Sequence, residues 1–171
     1  MADLKTLYRL IILYMLANTK LPLSNTQITG FMLDQEYTNY FIIQKSFSDL
    51  EAADLISSEP TYSNTFYQIT EEGRYTLELF QDKISDSIKH DVHEFLSAND
   101  SEIHREAEAS ADYYSVEGGR YEVRCRIRSG SRSILDLTLE VSTKEQAAAI
   151  SRNWSSGYID AYTGLMDLLL K

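Results

Sequence analysis

The sequence predicts an α+β chain built in two parts, and three observations carry that prediction. Apolar residues recur at helical spacing through most of residues 5–97, interrupted by two short β-type runs around a polar tip. A Gly-Gly pair sits inside an alternating stretch at 112–141, the mark of an antiparallel meander. A capped amphipathic segment then runs to about Leu170. The bulk composition agrees: of 171 residues, 43% are hydrophobic and 25% charged, the balance of a folded globular chain. One Cys excludes a disulfide framework and a Cys-rich zinc module. Arg9 and Asn18 break the longest apolar runs near the start, short of the roughly 20 residues of a membrane span. Met-Ala-Asp-Leu-Lys has no basic n-region, so no secretory signal is read, and a cytoplasmic location without membrane contact is expected.

The first helix is expected at 5–18, with Leu4, Leu7, Tyr8, Ile11 and Met15 at helical spacing and apolar residues on nearly every side. Leu21-Pro22-Leu23 is extended, because the residue before proline avoids the helical region. Ser24-Asn25-Thr26-Gln27 is a capping box that opens a short helix to about Leu33. Asp34–Thr38 is a polar turn, and Asn39 caps a third helix to about 53 that buries Ile43, Phe47 and Leu50. Leu55–Ser58 and Phe66–Ile69 are strands flanking the tip Glu59–Thr65. Thr70 caps a fourth helix with acids in its first turn, carrying Tyr75, Leu79 and Phe80. Ile84, Ile88, Val92 and Phe95 stripe a further helix at 84–97, either separate from the fourth or continuous with it, and Asn99–Ala109 is open between helix and extended chain.

In the last third, Gly118-Gly119 is expected as a two-residue hairpin turn, which pairs Val116 with Tyr121 and Tyr114 with Val123. A third strand follows at 134–141, with Leu135, Leu137, Leu139 and Val141 inward and Asp136, Thr138 and Glu140 outward. Ser142-Thr143-Lys144-Glu145 is a capping box for the last helix, which sets Ile150, Trp154, Tyr158, Leu165 and Leu169 on one face. The domains read as 1–82, a helical connection at 83–100, and a sheet-plus-helix domain at 101–171.

Helix, helix, turn, helix, strand, tip, strand, helix is the order of a winged helix-turn-helix. Phe47-x-x-Leu50-Glu51-x-x-Asp54-Leu55-Ile56 resembles the recognition-helix end and first wing strand of MarR- and PadR-type bacterial regulators. Tyr67-Gln68-Ile69-Thr70-Glu71-Glu72-Gly73 resembles their second wing strand and following helix. Where those families often carry Gly, this chain has Asp54, which tolerates a left-handed helix end better than most residues. Over nearly its full length the chain resembles a bacterial family of regulator-like proteins grouped as a domain of unknown function. Asn39-Tyr40-Phe41-x-x-Gln44, Thr70-Glu71-Glu72-Gly73-x-x-Thr76-Leu77-Glu78-Leu79-Phe80, Thr143-Lys144-Glu145-Gln146-Ala147 and Asn153-Trp154 carry that resemblance. It implies a winged helix followed by a small C-terminal sheet, and a role in transcriptional regulation.

A third helix placed in a major groove presents Asn39, Tyr40, Gln44, Lys45 and Ser48. Asn and Gln can pair bidentately with adenine, and Lys can reach guanine or phosphate. Tyr62 and Asn64 at the wing tip can meet phosphate or sugar. Charge argues the other way. Sixteen Lys and Arg face 26 Asp and Glu, a net −10. Residues 1–84 carry six cations against 11 acids and the remainder ten against 15, −5 each, so neither half has the basic footprint of a nucleic-acid binder. The tip Glu59–Thr65 has no Lys or Arg.

Other constellations have plainer readings. Arg124, Arg126 and Arg128 share one strand face, with Arg120 and Arg132 at its ends, either an anion patch or, in preference, cross-strand partners of Asp136 and Glu140; Tyr113 can stack beside Arg124. Asp86, His90 and Glu94, with His93 and His104 near, lack a fourth metal ligand and an HExxH pattern. Cys125 faces inward between Val123 and Ile127, where a thiol is inert. With no nucleophile elbow, phosphate loop or dinucleotide fingerprint, neither enzyme activity nor a cofactor is expected. Tyr158, Tyr162, Leu165, Met166 and Leu168–Leu170 crowd more than one face of the helix end, either a buried terminus or a homodimer contact. The expected function is transcriptional regulation through double-stranded DNA, with the C-terminal part for dimerisation or for sensing a small-molecule effector. The alternative is an adaptor that turns the same surface to a protein partner.

Overall fold

Helix-forming, strongly apolar sequence at the start of the chain builds the centre of the first of two units, residues 1–100 and 101–171. The structure, a computed structural model, describes residues 3–61, 64–130 and 132–171. Helix α1 (Leu4–Ala17) is capped by Asp3 and buried without a break from Leu10 to Leu16, as a helix apolar on all sides must be. Strand β1 (Leu23–Ser24) leads into α2 (Asn25–Asp34), where Ser24 and Gln27 complete the expected capping box. Asn39 caps α3 (Tyr40–Ala52), which buries Ile43, Phe47 and Leu50.

Asp54 then takes a positive φ of 58°, and the chain turns into β2 (Ile56–Pro60). Strand β3 (Thr65–Ile69) returns antiparallel and lies between β2 and β1. Thr70 caps α4 (Glu71–Phe80). Gly73 in its first turn has no room for a side chain: a Cβ there would lie 2.1 Å from the Leu55 carbonyl oxygen. Leu77 is the buried side chain of this helix, whereas Tyr75 and Leu79 are exposed.

A 3₁₀ turn at Gln81–Lys83 separates α4 from α5 (Asp86–Ala98). This segment, expected as a connection, is packed into the first unit. Val92 is fully buried, the Phe95 ring lies 5.0 Å from that of Phe31, and two hydrogen bonds of 2.7 Å tie Tyr14 to His93 and Tyr37 to Asp91. Burial and the Asp91 bond raise the pKa of the Tyr37 phenol far above its ordinary value.

Helix α6 (Asp100–Glu108) occupies the stretch left open by the sequence. The second unit then forms an antiparallel sheet of β4 (Ala109–Val116), β5 (Arg120–Ser129) and β6 (Arg132–Val141) in that order. Its first hairpin differs from expectation by one residue. Val116 pairs with Arg120, Tyr113 with Val123 and Ala111 with Cys125, so Glu117, Gly118 and Gly119 make a three-residue loop. The expected register would have set Asp112 inward opposite Cys125 and buried a carboxylate. The observed one sets Ala109, Ala111 and Tyr113 inward, and Tyr113 therefore does not stack beside Arg124.

Helix α7 (Lys144–Leu169) starts one residue later than expected, with Thr143 and Gln146 forming its capping box in place of Ser142 and Glu145. Ala147, Ile150, Trp154, Tyr158 and Ala161 face the sheet, and the Trp154 Nε1 donates to the Arg126 carbonyl at 3.1 Å. The helix lies chiefly on β4 and β5, which leaves Leu139 of β6 on the inner face yet 39% exposed. Leu169, expected on the covered face, is 75% exposed.

Candidate nucleic-acid interface

Helix α3 divides by periodicity into two faces. At 100° per residue, Phe41, Lys45, Ser48 and Ala52 fall within about 60° of arc, opposite Ile43 and Leu50. All four are exposed, and Phe41 is 81% exposed. No acid occurs from Asn39 to Ser48, and the first acid, Asp49, pairs with Lys45 at 3.0 Å. The Lys45 hydrogen bond, assisted by the charges of Lys45, Arg9 and Lys5, lowers the Asp49 carboxyl below the usual range. Tyr40 stands edge-on to Phe41, with ring centres 5.9 Å apart.

The residues expected at the interface do not all stay available to a ligand. The Asn39 side chain accepts the Ile42 amide as the helix cap. Gln44 lies on the flank between the two faces and is half-buried. The Asn25 amide donates to its Oε1 at 2.7 Å, and its Nε2 donates to Asn25 Oδ1 at 3.2 Å and to Thr29 Oγ1 at 3.0 Å. Asn25 also donates to the buried Tyr67 hydroxyl, and the Tyr67 ring stacks 4.4 Å from Phe47. These bonds fasten α2, α3 and β3 together. Gln44 thus acts between helices, where sequence reading had turned it outward. The Ser48 hydroxyl donates back to the Gln44 carbonyl at 3.3 Å.

At the tip, Asn64 Nδ2 donates to Thr26 Oγ1 at 3.0 Å, and Asn64 closes a turn with Thr61 through its own backbone. Tyr62 lies outside the described residues. The exposed α3 residue absent from the expected set is Phe41. Its signal was present, since it is out of phase with Ile43, Phe47 and Leu50 by helical geometry alone.

Elsewhere, charges on the outer sheet face pair across strands. Arg124 donates twice to Asp136, at 2.9 and 2.6 Å, and Arg120 meets Glu140 at 3.2 Å. His90 faces Glu94 at 3.6 Å on an open helix surface. Cys125 is fully buried, and burial, followed by the Asp112 charge, pushes its thiol up to about 11. Among the described residues no helix is long and apolar enough to cross a membrane.

The sequence model of one family, a domain of unknown function (DUF4364), matches residues 8–169, and the chain belongs to that family. No curated protein and no solved structure matches the chain.

Proposed function

We propose that this DUF4364 protein is a dimeric, non-enzymatic transcriptional regulator of the cytoplasm. On this reading its first unit is a winged helix-turn-helix that lays α3 in the major groove of duplex DNA and the β2–β3 tip along the flanking backbone. The observation that carries it is the exposed α3 stripe, which runs opposite the buried face, has Lys45 at its centre and is free of acids over its first turns. The order of elements from α1 to α4 and the bonding of α2 to α3 through Asn25, Gln44 and Thr29 support the same reading.

The second unit would join two copies. Leu168, Leu169 and Leu170 are 71%, 75% and 74% exposed at the end of α7, more apolar surface than a lone helix end ordinarily shows to water. A two-fold pair would read half-sites about 34 Å apart or multiples of that spacing. The same unit is where a small-molecule effector would act.

A specific observation favours the alternative, an adaptor for a protein partner. Residues 1–100 carry seven cations against 15 acids, −8, while residues 101–171 carry nine against 11, −2. The unit assigned to DNA is therefore the more acidic one, and its tip has no cation. Selection from a random duplex library separates the two. A regulator enriches a palindromic site whose log affinity falls linearly with log salt. An adaptor enriches nothing and binds weakly even at low salt.

A further inference from the structure

We infer that the α3 face recognises thymine through its C5 methyl group, with Phe41 as the contacting side chain. The inference rests on the DNA reading above and specifies its chemistry. Direct readout ordinarily uses a fork of donor and acceptor, such as an amide on adenine or a guanidinium on guanine. No such fork is free on this face. Both ends of the Gln44 amide are engaged with Asn25 and Thr29. The Asn39 oxygen is held by the Ile42 amide. Lys45 contributes a point charge, and Ser48 a hydroxyl directed to its own helix.

What remains is a phenylalanine in the first turn of the helix, where recognition helices come nearest to base edges. Phe41 is 81% exposed and far from the α3 core face, so packing does not account for it. Tyr40 stands edge-on to its ring at 83°, with ring centres 5.9 Å apart. The apolar feature that a major groove offers such a side chain is the thymine methyl. Lys45, one turn further along the same stripe, is exposed in its pair with Asp49 and would exchange that carboxylate for a phosphate of the backbone.

The test uses the duplex recovered by selection, with each thymine replaced in turn by uracil, which removes the methyl and leaves base pairing unchanged. Binding of the full chain is followed by fluorescence anisotropy. One uracil position per half-site should weaken wild-type binding about fourfold, the value of one buried methyl. Phe41→Ala should bind the thymine and uracil duplexes equally, with an unchanged melting temperature because the side chain is exposed. Phe41→Leu, which keeps an apolar contact, should retain part of the discrimination. Lys45→Ala should weaken both duplexes and keep the fourfold ratio. An absence of any sensitive position, or a uracil penalty that survives in Phe41→Ala, overturns the inference and leaves the DNA reading intact. If selection recovers no duplex, both fall together.

Discussion

The two units bury their apolar residues in contrasting ways. The first encloses one helix: α1 is buried from Leu10 to Leu16, with α3, α4, α5 and β3 packed around it. The second covers a sheet on one face with a single helix, which favours β4 and β5 and carries exposed leucines at its far end. A helix enclosed on all sides tolerates little change, whereas a half-covered sheet keeps apolar surface in reserve. The same contrast recurs within α3, whose inner face is fixed by packing and amide bonds while its outer face keeps Phe41 exposed and pairs Lys45 with Asp49 at the surface.

Substitutions can sharpen this contrast. Ile12 is fully buried, and Ile12→Ala should cost about 4 kcal/mol, against about 1 kcal/mol for Leu139→Ala on the half-covered face. Urea titration by circular dichroism measures both; near-equal losses would refute the difference in enclosure. Gly73→Ala should cost about 3 kcal/mol, the upper end for overpacking, because the added carbon meets the rigid Leu55 backbone. A melting temperature close to wild type would show that α4 can move away from β2.

Gln44→Ala should lose about 1–2 kcal/mol, since it removes three hydrogen bonds and leaves Asn25 and Thr29 short of partners. The smallest effect belongs to Asp136 on the open sheet face. The Arg124 hydrogen bond lowers its carboxyl below the ordinary value of 3.8. A carboxyl lowered in the folded state stabilises fully above its unfolded value, and that contribution is lost as pH falls through the folded one. Wild type should therefore lose slightly more melting temperature than Asp136→Asn on acidification below about pH 4. Parallel curves would mean that the ion pair contributes nothing to stability, a common outcome for exposed pairs.

Much of the architecture was legible because local chemistry and global fold agree. Ser24 and Gln27, Asn39 and Thr70 mark helix starts at the positions where the helices begin. Asp54 takes the left-handed conformation that its position between helix and strand demands. The β4–β5 register was not legible from the Gly-Gly turn alone. Its parity was recoverable from charge, because the one-residue shift that the Gly-Gly turn suggested would set Asp112 on the inner face. The start of α7 was ambiguous because Ser142 and Thr143 each have an acidic or amide partner three residues on. For the site, Lys45 could be placed outward by periodicity, whereas Tyr40, seven residues before Phe47, shares the phase of the buried face and is exposed because it is the first residue of α3. The role of Gln44 could not be read this way, because it depends on Asn25 and Thr29 from another helix. Phe41 was overlooked because attention to polar readers passes over an aromatic, although helical phase sets it outside the core.

The central claim is that α3 bears on its own fold with one face and on DNA with the other. The most direct measurement is a salt titration of duplex binding by wild type, Lys45→Ala and Gln44→Ala, each with its melting temperature. Lys45→Ala should bind more weakly, with a salt slope reduced by about one, and melt as wild type does. Gln44→Ala should melt lower and keep the wild-type slope. Equal binding by wild type and Lys45→Ala at every salt concentration would contradict the claim.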